Sequence, residues 1–260
     1  MSGKSVTSKK VWISAIFAVI LVPAVILLSD RMGDRNYYIA GVLIIILAMI
    51  PFFAGFESCR PEARELVTIA VMCAIAVASR IVFIMLPGFK PVVAIIMITG
   101  MAFGPSAGFL TGAMGAFVSN FVFGQGPWTP WQMFAFGIAG FIFGLLSGKG
   151  PVKAEAGLPS GFSGGRSLKK ILQRLPVSLF GFLVIVVIVG PILDTCTLFT
   201  MTTAVSGASA ATVYLAGLPV NLIHGAAVFV TLFFLTVPIM DKLDRIKIKY
   251  GMMEKQDKVR

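Results

Sequence analysis

The sequence predicts an all-α membrane protein: a polytopic bundle with a six-helix core, preceded by an N-terminal two-helix hairpin. Three observations predict it. Hydrophobic residues make up 57% of the chain and charged residues only 13%, a balance outside the range of ordinary soluble domains. The apolar residues gather in runs long enough to cross hydrocarbon, rather than recurring at the spacing of a water-facing helix. Lys and Arg sit in short patches beside the ends of those runs, as orientation in a bilayer requires.

The first run, 11–28, follows Lys4, Lys9 and Lys10. It exceeds the apolar region of a signal peptide, and no small-x-small cleavage site precedes the charged turn Ser29-Asp30-Arg31-Met32-Gly33-Asp34-Arg35. It is therefore expected to be a retained helix. The second run, 37–56, opens on two interfacial tyrosines and stops before Glu57-Ser58-Cys59-Arg60-Pro61-Glu62. Residues 1–62 read as one transmembrane hairpin.

From Ala63 the runs contain more Gly, Ala and Thr and the joints shorten, so residues 63–240 read as a compact six-helix substrate-binding domain. Its helices are expected at 66–86, 91–103, 107–123, 131–147, 176–199 and 218–240. At ~1.5 Å per residue the second is short for a perpendicular span, so it should be tilted, partly buried or lengthened by an inward-dipping loop. Between the fourth and fifth, 154–165 is rich in Gly, Pro and Ser. Residues 167–175 then place Leu168, Ile171, Leu172 and Leu175 on one helical face, the pattern of a basic amphipathic helix lying on anionic lipid or docking a partner.

Charge orients the bundle. The loop 148–175 holds Lys149, Lys153, Arg166, Lys169, Lys170 and Arg174 against Glu155, and the tail 241–260 adds Lys242, Arg245, Lys247, Lys249, Lys255, Lys258 and Arg260. Eight spans with both termini in the cytoplasm and these patches inside satisfy the positive-inside rule. The chain is thus expected in the plasma membrane, with 241–260 as a basic cytoplasmic tail. The net charge of +11 is accounted for by lipid-facing patches, so no nucleic-acid partner is expected.

No catalytic or metal-binding chemistry is legible. His224 is the only histidine, no span holds a pair of carboxylates, and neither HExxH nor GxSxG occurs. Gly148-Lys149-Gly150 lacks the spacing of a phosphate loop. Cys59, Cys73 and Cys196 share no close spacing, so neither a disulfide framework nor a zinc site is indicated. No cofactor is expected. Energy for any uptake has to come from another subunit or an ion gradient. Asp194 is the lone acidic residue in the six runs and no internal repeat is evident, which disfavours an ion-coupled carrier.

One joint carries ligand chemistry. The stretch from Asn120 to Gln132 packs rings, amides and turn formers between two membrane-length runs. Indole with amide grips a flat polar solute, although tryptophans at a bilayer interface also serve as anchors. Asn120, Gln125, Trp128, Trp131 and Gln132 lead the candidates. Asn221 and His224 follow, one helical turn apart. Arg80 either snorkels to headgroups or, with Lys90, attracts a carboxylate or phosphate. Asp194 either binds a hydroxyl or pairs with Arg80, and pairing is favoured because a lone charge there is costly. Ala70, Ala74 and Ala78 recur every fourth residue, a ridge for close helix approach inside the bundle or against another subunit.

In combination these features resemble the S component, the substrate-binding subunit, of energy-coupling factor vitamin transporters. The similarity rests on the alanine ridge of the first core helix, Phe89-Lys90-Pro91 entering a short span, Gly104-Pro105, and the segment from Ser119 to Met133. It extends over about Ala63 to Met240 and is greatest for the cobalamin or vitamin-precursor group. The resemblance implies a small-molecule vitamin captured outside, a transmembrane scaffold subunit and two cytoplasmic ATPases as partners, and Ala70, Ala74 and Ala78 as the contact with the scaffold. The hairpin departs from the usual six-helix pattern. An autonomous secondary carrier or channel is the alternative, with a membrane-embedded enzyme or scaffold less favoured.

Overall fold

A computed structural model describes residues 37–58, 63–146, 168–201 and 205–250. The expected first span (11–28), the linker 154–165 and the last ten residues of the tail lie outside them. The described residues form helices and turns without strands: α1 Tyr37–Ser58, α2 Ala63–Val82, α3 Val92–Phe103, α4 Pro105–Phe123, α5 Thr129–Leu146, α6 Leu168–Val184, a π-helical turn Ile185–Val189, α7 Gly190–Met201 and α8 Gly207–Lys249. Five stretches are long and apolar enough to cross a membrane: Ala63–Val82, Pro105–Phe123, Thr129–Leu146, Arg174–Thr200 and Gly207–Lys249.

The short helix is the centre of the bundle. Residues 91–102 are all buried, because α3 is apolar on every face and α2, α4, α5 and α8 surround it. Its 12 residues reach only ~18 Å at 1.5 Å per residue, short of the ~30 Å hydrocarbon core. A helix that meets protein on all sides has no need to span. Gly104, with φ +92°, reverses the chain directly into Pro105 at the start of α4, a backbone conformation that glycine adopts at no steric penalty.

Close backbone approach joins α4 to α5. A Cβ on Gly108 would strike the Gly140 carbonyl, and one on Gly140 would strike the Gly108 carbonyl. Lipid supplies no hydrophobic drive between helices, so such contact must come from packing of small residues.

Two boundaries differ from the sequence reading. The amphipathic segment at 167–175 and the span behind it are one helix, because α6 begins at Leu168 and continues through Pro176. A proline inside a helix removes one hydrogen bond, but here Val177, Ser178 and Gly181 are buried and packing against α8 carries the helix through. The last helix is longer at both ends than 218–240. Ser206 caps it reciprocally with Ser209, and its C-terminal turns remain attached to the bundle. Leu243 and Lys247 are buried, Lys247 Nζ donates to the Ala102 carbonyl and pairs with Asp244 at 3.7 Å, and Arg64 donates to the Tyr250 carbonyl. The start of the basic tail is thus a helical extension packed on α3.

Helix α1 packs against α4, α5 and α7. Phe52 stacks on the buried Phe109 at 4.1 Å between centroids, and Phe141 meets Phe52 edge-on at 4.9 Å. On α2, Ala76 turns inward while Ala70, Ala74 and Ala78 are exposed beside Val67, Val71 and Ile75. The alanine ridge therefore faces outward and takes no part in packing within the described bundle.

Candidate functional site

A buried polar cluster occupies one end of the bundle, where α2 and α4 finish and α3 and α5 begin. Arg80, in the last turn of α2, is only 4% exposed. Its Nη1 donates to Ser119 Oγ at 2.5 Å and to Asn120 Oδ1 at 2.9 Å. Asn120 Nδ2 donates in turn to Gln132 Oε1 at 2.9 Å and Thr129 Oγ1 at 3.1 Å. Thr129 Oγ1 donates to Gln125 Oε1 at 2.9 Å and accepts from the Gly126 amide at 3.2 Å. Ser119, Asn120 and Thr129 are all buried. Polar networks of this kind inside a membrane bundle are expensive, and they mark function by default.

Aromatic faces flank the cluster. The Arg80 guanidinium lies 4.5 Å from the centroid of Phe123 and 5.9 Å from that of Phe136, and Lys90 Nζ lies 5.4 Å from the same Phe123 ring. On the far side His224 meets Phe136 edge-on at 6.3 Å. Arg80 Nε and His224 Nε2 are buried without a hydrogen-bond partner among the described residues. Lys90, in the turn between α2 and α3, titrates below the usual lysine range, first because burial disfavours its charge and then because Arg80 repels it.

The local sequence explains the placement. Gly124, with φ +97°, turns the chain out of α4. Trp128 folds over Gly126 and donates from Nε1 to the Gly124 carbonyl at 3.3 Å, and Gln125 Nε2 ties back to the Phe117 carbonyl at 2.9 Å. The loop is thereby closed on itself, which holds Thr129 and Gln132 at the head of α5 under Asn120.

Of the residues singled out from the sequence, Arg80, Lys90, Asn120, Gln125, Gln132 and His224 come together here. Trp128 caps the loop as an exposed ring, whereas Trp131 turns the other way. It is buried against Phe199 of α7 at 5.8 Å and belongs to the core shared with α1. Asn221 lies outside the Arg80 network and donates to Asp194 Oδ2 at 2.8 Å. The favoured pairing of Asp194 with Arg80 is therefore absent: Asn221 donates to the carboxylate, and hydroxyl and amide oxygens take up Nη1 of the guanidinium. Ser119, Phe123, Thr129 and Phe136 complete the cluster without having been picked out beforehand. The one signal for them was adjacency, since Ser119 and Phe123 bracket Asn120 and Thr129 precedes Gln132 by one turn.

An apolar groove of about 280 Å³ lies along the outside of α2 and α4, lined by Leu66, Ile69, Ala70, Leu110, Met114 and Val118. It adjoins the alanine ridge, not the polar cluster.

The fold and cluster define a class: a multi-pass helical membrane protein with a polar binding site buried at one end of its bundle. The family model for the ECF-type riboflavin transporter, S component, matches residues 61–243, and the chain belongs to that family. It is a substrate-capture subunit of an energy-coupling factor transporter for a vitamin. The match starts at the threshold of α2 and leaves α1 outside. The family's description carries riboflavin, so the cobalamin expected from the resemblance finds no support in it. No solved structure matches the chain.

Proposed function

We propose that the chain captures a flat, water-soluble vitamin or precursor of flavin size at the Arg80–Asn120 cluster. In this reading the cluster faces the exterior of the plasma membrane and both termini lie in the cytoplasm. Lys and Arg in 148–175 and 241–260 support that orientation through the positive-inside rule. A separate scaffold subunit and two ATPases supply release and energy, and the outward-facing Ala70, Ala74 and Ala78 meet the scaffold. The observation that carries the reading is the buried network Arg80–Ser119–Asn120–Gln132 beside Phe123 and Phe136. Amide edges read a heterocycle's donors and acceptors while ring faces hold its plane. Asp194, occupied by Asn221, makes a poor coupling carboxylate, which disfavours the autonomous carrier.

Riboflavin and cobalamin titrated onto the purified full chain in nanodiscs test this through tryptophan fluorescence. Saturable riboflavin binding should weaken at least about tenfold in Gln132→Ala, the size of one lost hydrogen bond to a buried partner. Absence of binding to any vitamin at micromolar concentration, or accumulation in liposomes by the chain alone, overturns the proposal.

A further inference from the structure

Two cations share one aromatic ring at the cluster. Arg80 and Lys90 both lie over Phe123, at 4.5 and 5.4 Å, and among the described residues neither pairs with a carboxylate. Neighbouring positive charges in a low-dielectric setting repel strongly, and a cation inside a membrane bundle ordinarily finds a partner. The remaining acid of the six runs, Asp194, is held by Asn221.

The hydrogen-bond inventory of Arg80 shows what is left over. A guanidinium carries five N–H groups. Nη1 directs both of its hydrogens at Ser119 and Asn120, while Nε is buried without a partner. The unused donors are thus those of the Nε–Nη2 edge, the planar fork that matches a carboxylate or phosphate with two parallel bonds. His224 adds a complementary group across Phe136. Its Nε2 is buried and unpartnered among the described residues, a ring nitrogen open to a hydrogen bond with a polar group of a solute.

We propose that the solute carries an oxyanion, a carboxylate or a phosphate, which docks on the Nε–Nη2 edge of Arg80 with Lys90 as its second cation. A polar group of the same solute reaches His224. This rests on the capture reading above and adds the charge of the cargo, which the riboflavin of the family's description lacks. Ser119 and Asn120 act as positioning residues: they hold Nη1 so that the other edge is presented.

Matched pairs of an acid and its neutral analogue provide the test: flavin mononucleotide with riboflavin, pantothenate with pantothenol, and nicotinate with nicotinamide. Each is titrated onto the full chain in phosphatidylcholine nanodiscs at low salt. In at least one pair the acid should bind about tenfold or more tighter, the scale of a charge-assisted fork. Lys90→Gln, in a turn outside the helices, and Arg80→Lys, which keeps the charge and removes the fork, should each narrow that gap by weakening the acid more than the neutral member; a gap that stays as wide in a variant that still melts cooperatively overturns the proposal. If the neutral member binds as tightly in every pair that binds, the oxyanion is wrong and capture stands. If no member of any pair binds, capture fails and the oxyanion with it. An anionic headgroup is distinguished by repeating the titration in phosphatidylglycerol nanodiscs. Unchanged acid affinity supports a solute, and its loss there assigns the site to lipid and overturns the proposal.

Discussion

At the residue scale the behaviour of the cluster turns on Asn120, which accepts from Arg80 and donates to both Thr129 and Gln132. Asn120→Leu removes three partners at once. Each buried polar group left unsatisfied costs about 1–3 kcal/mol, so this variant should lose several degrees of melting temperature along with binding. Asn120→Asp is the sharper test. It places a carboxylate where Oδ1 now lies, 2.9 Å from Nη1, and obliges the Gln132 amide and the Thr129 hydroxyl to turn and donate to its second oxygen, so the melting temperature should fall less than in Asn120→Leu while affinity for an acidic solute falls at least about tenfold. Retained acid affinity in Asn120→Asp would mean that Arg80 needs no external counter-charge. Lys90 supplies a pH test. Its folded-state pKa lies below the ordinary 10.5, so between the two values the unfolded chain binds more protons and stability rises with pH. The solute-free protein should gain melting temperature relative to Lys90→Gln as pH climbs from about 7 towards 10, by a small amount because the side chain is part-exposed and screened. Parallel melting curves for the two proteins would contradict this.

At the element scale two helix faces made of small residues do opposite jobs. Gly108 and Gly140 bring the backbones of α4 and α5 into contact, so Gly140→Val should prevent folding, seen as loss of a monodisperse, cooperatively melting species in detergent. The alanine ridge on α2 is exposed. Ala74→Trp should therefore leave folding and vitamin affinity unchanged and abolish uptake in cells that supply the scaffold and ATPases; equal loss of affinity and uptake would make the ridge part of the binding fold. The helices themselves were legible because membrane-length apolar runs leave little else to predict, as the near-coincidence of 37–56 with Tyr37–Ser58 and of 107–123 with Pro105–Phe123 shows. The start of α8 was not: Gly207, Ser209 and Pro219 look like loop in isolation, and a capping box with packing on α7 makes them helical. Within the site, Arg80, Asn120 and Gln132 stand out as polar residues in apolar surroundings. Ser119 and Thr129 did not, because hydroxyls in such helices commonly bond their own backbone, as Thr111 does to Ala107 and Thr231 to Ala227. Trp131 misleads for a related reason: an indole beside a loop has the same sequence signature whether it meets a solute or Phe199.

At the scale of the whole molecule, one long helix links the binding site to the basic end: it meets the polar cluster near its middle, at residue 224, and reaches the basic end at its C-terminus. The 43 residues of α8 extend ~64 Å at 1.5 Å per residue, about twice the hydrocarbon thickness. Residue 224 meets the polar cluster while Lys247 and Tyr250 tie the far end to α3 and α2. Helix α1 stands outside this axis. It touches α4, α5 and α7 through Phe52, Phe53 and Met49 and supplies none of the groups around Arg80, and the family match begins only at residue 61. In lipid its attachment draws on ring packing, with each aromatic pair contributing about 0.5–1.5 kcal/mol, not on burial from water. A chain shortened to residues 63–260 should accordingly fold, melt roughly 5 °C lower in the same detergent, since about 1 kcal/mol shifts a domain of this size by 2–4 °C, and bind its vitamin with unchanged affinity. Loss of binding in a shortened chain that still melts cooperatively would instead make the N-terminal segment part of the capture apparatus.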